Sequence, residues 1–253
     1  MPEAYEQYLV PVLFRPFAED LAARAAALRP RTVLELAAGT GALTAGLLAS
    51  VPSAEVTATD LNEAMVAFGA ARVPGAVWRQ ADARRLPFPD GGFDLVVCQF
   101  GVMFFPDRVA AFGEARRVLA PGGRFLFNTW GPIASHGFDD AVQAGLARAF
   151  PVDPPLFLPT VPHGYADPAV VADDLAAAGF ALEAEEKLTL EGRAASAADV
   201  ALGFLTGSPV RAAVEERGGG PDEHATVVEE TTARLGRGPV TATMTAYVFL
   251  SAA

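Results

Sequence analysis

Several things that the chain lacks limit its class. Cys98 is its only cysteine in 253 residues, so no internal disulfide forms, which fits a reducing compartment. The 19 basic residues are outnumbered by 30 acidic ones, and the net charge of −11 disfavours a nucleic-acid partner, because phosphates need clustered Lys and Arg. Apolar stretches are broken by charges before 18 residues, and the first residues lack a signal peptide's basic start. We therefore predict a cytoplasmic protein without a membrane span.

The common catalytic motifs are absent as well. We find no G-x-S-x-G elbow, no H-E-x-x-H and no paired cysteines, so neither a serine nucleophile nor a metal is predicted. Hydrophobic residues, in contrast, make up 51% of the chain, which is enough for a large buried core.

The most informative segment runs from Val33 to Thr44. An apolar run with an acid, Glu35, leads into a turn with Gly39 and Gly41 and then into a helical pattern. Glycines permit a tight turn and a close ligand approach, and the first N–H groups of the helix favour a carboxylate or a phosphate. The segment predicts a buried parallel strand followed by a ligand-binding turn.

A second acid, Asp60, ends the next predicted strand, where open α/β sheets hold ribose hydroxyls. A dinucleotide site would show G-x-G-x-x-G, but Thr44 stands where the third glycine belongs. A nicotinamide cofactor is therefore disfavoured. The alternative for Asp60 is a helix-capping role.

Five segments in order resemble the class I S-adenosylmethionine-dependent methyltransferases, in particular the small-molecule group typified by the ubiquinone/menaquinone enzymes. The resemblance covers roughly the first half of the chain. Ala37 replaces the first glycine of the family's first motif. The segments are Glu35 to Gly41, Asp60-Leu61, Asp82-Ala83, Phe93 to Phe100 and Arg116 to Phe125.

The resemblance implies S-adenosylmethionine as cofactor and S-adenosylhomocysteine as product. It places Glu35 near the methionine amine, Asp60 on the ribose, Leu61 on the adenine and Asp82-Ala83 at the adenine amino group. A solvated loop with Arg84 and Arg85 is the alternative for Asp82. The full set of predicted cofactor-binding residues is Glu35, Ala37, Gly39, Thr40, Gly41, Asp60, Leu61, Met65, Asp82, Ala83, Gln99 and Phe100.

Strands and helices alternate through the first half, which predicts an α/β, doubly wound, mostly parallel sheet with helices on both faces. The predicted strands are 31–37, 54–60, 76–81, 93–99 and 123–130, and the helices are 41–50, 62–72 and 107–119. Pro11 and Pro16 predict two short helices within 5–28. The resemblance implies seven strands in the order 3-2-1-4-5-7-6, with strand 7 antiparallel.

The second half predicts helices at 136–149, from Asp167-Pro168 to Gly179, and over 196–236 with a break at 218–221. Strands are expected at about 180–190 and at 240–250, and the proline-rich 151–159 predicts irregular structure. We expect one methyltransferase domain over 1–253, with N-terminal helices (1–28) over the cofactor and a small helical cap from 131–167 and 191–239 that covers the substrate.

The acceptor site is less defined. The residues that we expect to line a substrate pocket are Tyr5, Tyr8, Phe100, Met103, Phe104, Trp130 and Tyr165. Core packing is the alternative for the apolar residues after the fourth strand. His136 and His163 are candidate bases for a hydroxyl acceptor. Some catechol-type relatives hold Mg²⁺ through an acid where this chain has Cys98-Gln99, so we expect metal-free transfer.

We therefore predict an enzyme that transfers a methyl group in line to an O, N or C nucleophile of a small hydrophobic molecule. The alternatives are an NAD(P)-dependent oxidoreductase of Rossmann type and a non-catalytic S-adenosylmethionine-binding partner. We expect no nucleic-acid partner and a monomer or homodimer. The sequence leaves open the acceptor, the oligomeric state and any lid motion.

Overall fold

The computed structural model describes residues 2–253, and its core is one seven-stranded sheet. The strand order is β3-β2-β1-β4-β5-β7-β6, with β7 antiparallel, as the resemblance implies. The strands are β1 Thr32–Leu36, β2 Glu55–Asp60, β3 Val77–Gln80, β4 Phe93–Gln99, β5 Leu119–Trp130, β6 Ala181–Ala194 and β7 Val240–Ala252.

Helices connect the strands and are the main secondary structure of the second half. They are α1 Pro2–Ala4, a π-helix Tyr5–Phe14, α2 Arg15–Ala27, α3 Ala42–Ser50, α4 Glu63–Arg72, α5 Arg108–Val118, α6 Gly137–Ala149, α7 Phe157–Thr160, α8 Pro168–Ala177, α9 Ala197–Gly207, α10 Val210–Glu215 and α11 Pro221–Leu235. Short 3₁₀ turns occur at Val102–Phe104 and Ile133–Ser135.

The helix starts follow from local sequence. Asn62, Asp107 and Asp167 each accept a hydrogen bond from a backbone N–H in the first turn of the following helix, which satisfies a donor that the helix leaves unpaired. Gly179 ends the helical segment that begins at Pro168, with a positive φ of 85°. These boundaries were predictable because capping depends on a few adjacent residues.

The expectation of two helices separated at Pro11 and Pro16 is wrong. Helical structure is continuous from Pro2 to Ala27, and Pro11 lies inside the π-helix. The wider i→i+5 pattern, seen where the Arg15 N–H donates to the Val10 carbonyl, accommodates a residue that would interrupt an α-helix.

Two further boundaries need correction. The fifth strand begins at Leu119 and not at 123, because Pro121-Gly122-Gly123 lies within it as an irregularity with a register shift against β4. Part of the proline-rich segment, Phe157–Thr160, forms a short helix.

Both faces of the sheet are covered by apolar side chains. On one face, Val33 and Leu95 from the strands pack with Leu21 of α2 and Leu47 of α3. On the other face, aromatic rings pack against one another. The ring centroids are 5.5 Å apart for Phe112 and Phe125, 4.6 Å for Phe125 and Phe127, and 5.1 Å for Phe127 and Phe249. Alternation along β5 explains the division, since Leu126 packs on the first face.

The chain divides into two compact units. The larger unit, here called the sheet unit, comprises Phe17–Thr129, Tyr165–Leu188 and Ala246–Ala253. The other, here called the helical unit, comprises Trp130–Gly164, Thr189–Thr245 and the described residues up to Pro16. The predicted cap segments, 131–167 and 191–239, fall mostly in the helical unit, and their role over a substrate stays a prediction. Within 2–253, no helix is long and apolar enough to cross a membrane. Met1, the first residue of the predicted 1–28 segment, lies outside the described residues.

Candidate active site

The turn after β1 has an unusual backbone. Ala37, Gly39 and Gly41 have φ of 52°, 56° and 87°, which lie in the left-handed region that favours glycine. Alanine at the first of these positions carries a backbone cost of about 1–2 kcal/mol. The alanine that departs from the family motif therefore keeps the glycine-type conformation, which indicates that the turn's shape is imposed by its surroundings.

Asp60 closes this turn from the adjacent strand. The Gly39 N–H donates to Asp60 Oδ2 at 2.9 Å, and the Asn62 N–H donates to Asp60 Oδ1 at 2.8 Å. Burial raises the pKa of this carboxyl, and the backbone donors oppose that rise. Because each carboxylate oxygen has a second lone pair, Asp60 is fixed at the strand end and keeps acceptor capacity there.

Glu35 is buried beneath the turn, with 1% of its surface exposed. The Thr44 hydroxyl donates to Glu35 Oε2 at 2.6 Å, and the Thr59 hydroxyl donates to the Glu35 carbonyl at 2.8 Å. Burial, partly offset by Thr44 and reinforced by the negative charge of Asp60, raises the pKa of Glu35 to about 8. At neutral pH this side chain therefore holds a proton, which the sequence did not predict.

The end of β4 approaches the same turn. Phe100 has a φ of 51°, and its N–H donates to the buried Asn128 Oδ1 at 2.9 Å. A Cβ on Gly101 would lie 2.5 Å from the Ala37 Cβ and 2.7 Å from Cys98 Sγ, so only glycine fits. Burial raises the pKa of the Cys98 thiol, which agrees with an inert apolar role.

Asp82 has a close cationic neighbour. Arg84 Nη2 lies 2.7 Å from Asp82 Oδ2, and the Arg84 N–H donates to Asp82 Oδ1 at 2.9 Å. The Arg84 side chain lowers the pKa of this partly exposed carboxyl. This is the loop arrangement that the sequence left open as the alternative, and contact between Asp82 and an adenine stays a prediction.

The remaining predicted cofactor residues lie on the same unit. Leu61 is 65% exposed and directly follows Asp60. Met65 lies in α4 and Ala83 in the loop after β3, and both are partly buried, as is Gln99. Thr40 is buried. The structure thus brings Glu35, Ala37, Gly39, Asp60 and Gly101 into direct proximity, whereas the residues predicted to contact the adenine are partly or largely exposed.

The two candidate bases lie together in the helical unit. His136 is fully buried at the start of α6, and His163 follows α7 with 5% exposure. Asp139, in the first turn of α6 and 3% exposed, contacts both: its Oδ2 lies against His136 Nδ1, and its Oδ1 is 3.2 Å from His163 Nε2. The backbone carbonyl of Gly131 is 2.7 Å from His163 Nδ1.

We call this group of His136, Asp139 and His163 the His-Asp-His cluster. The charges of its members act on one another. Burial opposes an imidazolium at His163, but the hydrogen bond and charge of Asp139 outweigh it, so the pKa of His163 is raised. Burial likewise opposes the Asp139 carboxylate, yet His136 and His163 together lower the pKa of Asp139. His224, the third histidine, is not part of the cluster.

The predicted pocket residues divide between the units. In the helical unit, the Phe14 ring is 5.1 Å from Tyr5 and 6.1 Å from Trp130, and the Tyr8 side chain is partly buried. Trp130 in turn packs at 4.6 Å against the ring of His136.

In the sheet unit, Met103 is buried and Phe104 is 48% exposed. Tyr165 is buried there, with its hydroxyl donating to Asp174 Oδ2 at 2.7 Å and its ring 4.1 Å from the Arg108 guanidinium. The Tyr165 hydroxyl is therefore engaged in a hydrogen bond within this unit. A role for Tyr165 in a substrate pocket stays a prediction.

Three functional candidates were missed by sequence reasoning. Thr44 was noted only as a missing glycine, although its hydroxyl binds Glu35. Asn128 gave no signal, because a lone asparagine in a strand is uninformative. Asp139 was detectable in principle, since it follows His136 by three residues, the spacing that places side chains on one helix face.

Comparison with known proteins decides the family. Residues 34–127 match the family model described as a methyltransferase domain. The chain is 35% identical over 185 residues to the demethylmenaquinone methyltransferase of Thermus thermophilus, covering 68% of this chain and 83% of that protein. The chain belongs to the class I S-adenosylmethionine-dependent methyltransferases. Within them it is of the ubiquinone/menaquinone type.

Other members of this methyltransferase family differ in their acceptors. The malonyl-[acyl-carrier protein] O-methyltransferase of Halorhodospira halophila is 36% identical over 188 residues, covering 70% of this chain and 58% of that one. The solved structure of a SAM-dependent methyltransferase from Aquifex aeolicus superposes with a TM-score of 0.55 at 18% identity, covering 73% of this chain and 91% of that chain. That likeness shows the shared fold.

Proposed function

We propose that this methyltransferase binds S-adenosylmethionine at the carboxyl ends of β1 and β2 and transfers its methyl group to a small hydrophobic acceptor. The observation that carries the proposal is the turn of Ala37, Gly39 and Gly41, whose three positive φ values hold the backbone open next to Asp60. A Cβ added at Gly39 would meet nothing within 4 Å, whereas one at Gly41 would lie 3.0 Å from the Trp78 ring, so the turn faces free space at Gly39.

The residues at this turn fit the cofactor. Asp60 supplies a fixed carboxylate with spare lone pairs for ribose hydroxyls, and Leu61 supplies an exposed apolar side chain for the adenine. The first N–H groups of α3 favour a carboxylate such as that of the methionine moiety. Thr44 stands at the position where a dinucleotide site would have its third glycine. Its hydroxyl donates to Glu35, so it links α3 to β1.

The bound cofactor supplies an electrophilic methyl group on a sulfonium, so no nucleophilic side chain is needed. The protein's part is to hold the acceptor atom in line, and orientation of this kind supplies about 7–11 kcal/mol of a barrier. Buried Phe100 and Met103 at the end of β4 are proposed to contact the acceptor.

The acceptor remains a class rather than a compound. Relatives are named for demethylmenaquinone and for a malonyl carrier protein, so similarity alone leaves O, N and C nucleophiles open. Where the nucleophile is a hydroxyl, its proton must leave. His136 and His163 of the helical unit stay the predicted candidate bases for this proton.

The test is formation of S-adenosylhomocysteine. The protein is incubated with S-adenosylmethionine and one of a panel of acceptors, and product is measured by chromatography. The panel comprises a reduced demethylmenaquinone, a malonyl thioester and simple phenols. Acceptor-dependent product supports the proposal. Tight cofactor binding with no product from the panel or from cell extracts would favour a non-catalytic binding protein instead.

A further inference from the structure

The His-Asp-His cluster contains a buried polar atom whose hydrogen bonding is incomplete. His136 Nδ1 and Asp139 Oδ2 form an ion-pair contact with each other. Among the described residues, the cluster atom that is shielded from solvent and left without a hydrogen-bond partner is His136 Nε2. Buried polar groups without partners are costly, and an unseen ion is one established cause.

His163 gives an independent indication. Its Nδ1 faces the Gly131 carbonyl at 2.7 Å, and because a carbonyl only accepts, Nδ1 carries a hydrogen. In a neutral imidazole the lone pair is then on Nε2, which faces Asp139 Oδ1 at 3.2 Å. Two lone pairs would oppose each other, so a positive species belongs between them.

A proton and a metal ion are the two choices. A proton on His163 Nε2 and another on His136 Nδ1 resolve both contacts with Asp139 but leave His136 Nε2 buried without a partner. A divalent cation would replace both protons and take one donor atom from each of the three side chains. One donor atom from each of His136, Asp139 and His163 lies within 4.8 Å of the other two, and ligands of a tetrahedral Zn²⁺ are about 3.3 Å apart.

We propose that His136, Asp139 and His163 bind one divalent transition-metal ion of the Zn²⁺ class. Two imidazoles and one carboxylate match the borderline donor preference of this class, and three protein ligands leave a coordination position open. The hydrogen bond from His163 Nδ1 to a backbone carbonyl is the outer contact that orients metal-binding histidines. The proposal departs from the metal-free expectation drawn from the sequence, because His163 lies 24 residues from Asp139 and the three donors form no recognised linear motif.

The ion gives the cluster a chemical role. With the ion bound, His136 and His163 are ligands and no longer bases, and the ion would instead lower the pKa of a hydroxyl that binds it. This role rests on the proposed methyl transfer, whereas metal binding itself does not.

The test is a Zn²⁺ titration of the full-length chain, freed of any affinity tag and of metal by dialysis against a chelator. Competition with a chromophoric chelator gives stoichiometry and affinity. We expect one high-affinity Zn²⁺ per chain in the wild type and in the control His224→Gln. Each of three substitutions should weaken Zn²⁺ binding by more than about tenfold: His136→Gln, Asp139→Asn and His163→Gln. Loss of a residue that only orients a ligand already lowers metal affinity by about tenfold or more, and loss of a ligand should lower it further.

A second measurement needs no variant. In ¹H–¹⁵N spectra of the histidine rings, Zn²⁺ should shift the signals of His136 and His163 and leave those of His224 in place. No bound Zn²⁺ in the wild type, a shift of His224 alone, or unchanged affinity in all three variants would overturn the metal site. Since cofactor and acceptor are absent from both experiments, these results are independent of the methyltransferase assay.

Discussion

Glu35 gives a quantitative prediction, because its carboxyl is buried beside the turn after β1 and its pKa is raised from 4.5 to about 8. The folded state retains a proton that the unfolded chain releases above pH 4.5. This group's contribution to stability is therefore greatest below pH 4.5, decreases as pH rises, and levels off above pH 8.

The size of the effect follows from linkage. Each pH unit between the two pKa values changes the free energy of unfolding by about 1.4 kcal/mol. Allowing for partial ionisation near pH 8, the wild type loses about 2 kcal/mol from this group between pH 6 and pH 8. For a chain of this size that corresponds to a decrease in Tm of about 4–8 °C.

The assay compares thermal unfolding of the wild type and Glu35→Gln across this pH range. Glutamine keeps the size and accepts from the Thr44 hydroxyl, but it does not titrate, so the variant should lack the Glu35 part of the slope. The control Glu63→Gln, at an exposed glutamate of α4, should keep the wild-type slope. Parallel curves for wild type and Glu35→Gln would refute the reasoning that burial keeps Glu35 protonated.

Cofactor binding extends the same argument. If the methionine ammonium lies near Glu35, as the resemblance to the family implies, its charge favours the carboxylate, and close to one proton should be released on binding at pH 7. Calorimetry in buffers of different ionisation enthalpy measures this number. Binding without proton release would show that the amine lies elsewhere.

Three further substitutions test the site and its supports. Gly101→Ala should destabilise the protein by about 1–3 kcal/mol and weaken S-adenosylhomocysteine binding, because the added Cβ would overlap Ala37. The control is Gly113→Ala in α5, where an added Cβ would meet nothing within 4 Å. This substitution should stabilise the protein by about 0.5–1 kcal/mol. Denaturant unfolding and calorimetry measure both, and equal effects of the two substitutions would contradict the packing account. Asp60→Ala should lose most cofactor affinity, because the ribose hydroxyls would remain buried without their acceptor, and unchanged affinity in a titration would show that the ribose assignment is wrong. Arg84→Ala, which removes a partly exposed ion pair with Asp82, should change the free energy of unfolding by no more than about 1 kcal/mol; a larger loss in urea unfolding would mean that this loop is structurally essential.

The sequence predicted those features that depend on neighbouring residues. The helix starts near Asn62 and Asp107 and the glycine turn follow from local patterns, whereas the strand order follows from the resemblance to the family. The continuous helix through Pro11 was missed because π-helical pairing has no reliable residue signature. The proton on Glu35 was missed because it depends on burial by elements distant in the chain.

The His-Asp-His cluster shows the same limit. Each histidine alone is ordinary in the sequence, and 27 positions separate His136 from His163. Their convergence on Asp139 is a tertiary effect that brings α6 and the segment after α7 together. Thr44, in contrast, was visible from the start, but its role as a partner of Glu35 required the structure.

The most direct test of the central claim is calorimetric titration of the purified chain with S-adenosylhomocysteine, S-adenosylmethionine and NADH under identical conditions. The account predicts micromolar binding of the first two and none of NADH. Binding of NADH alone would contradict the assignment of the turn after β1 and of Asp60 to S-adenosylmethionine.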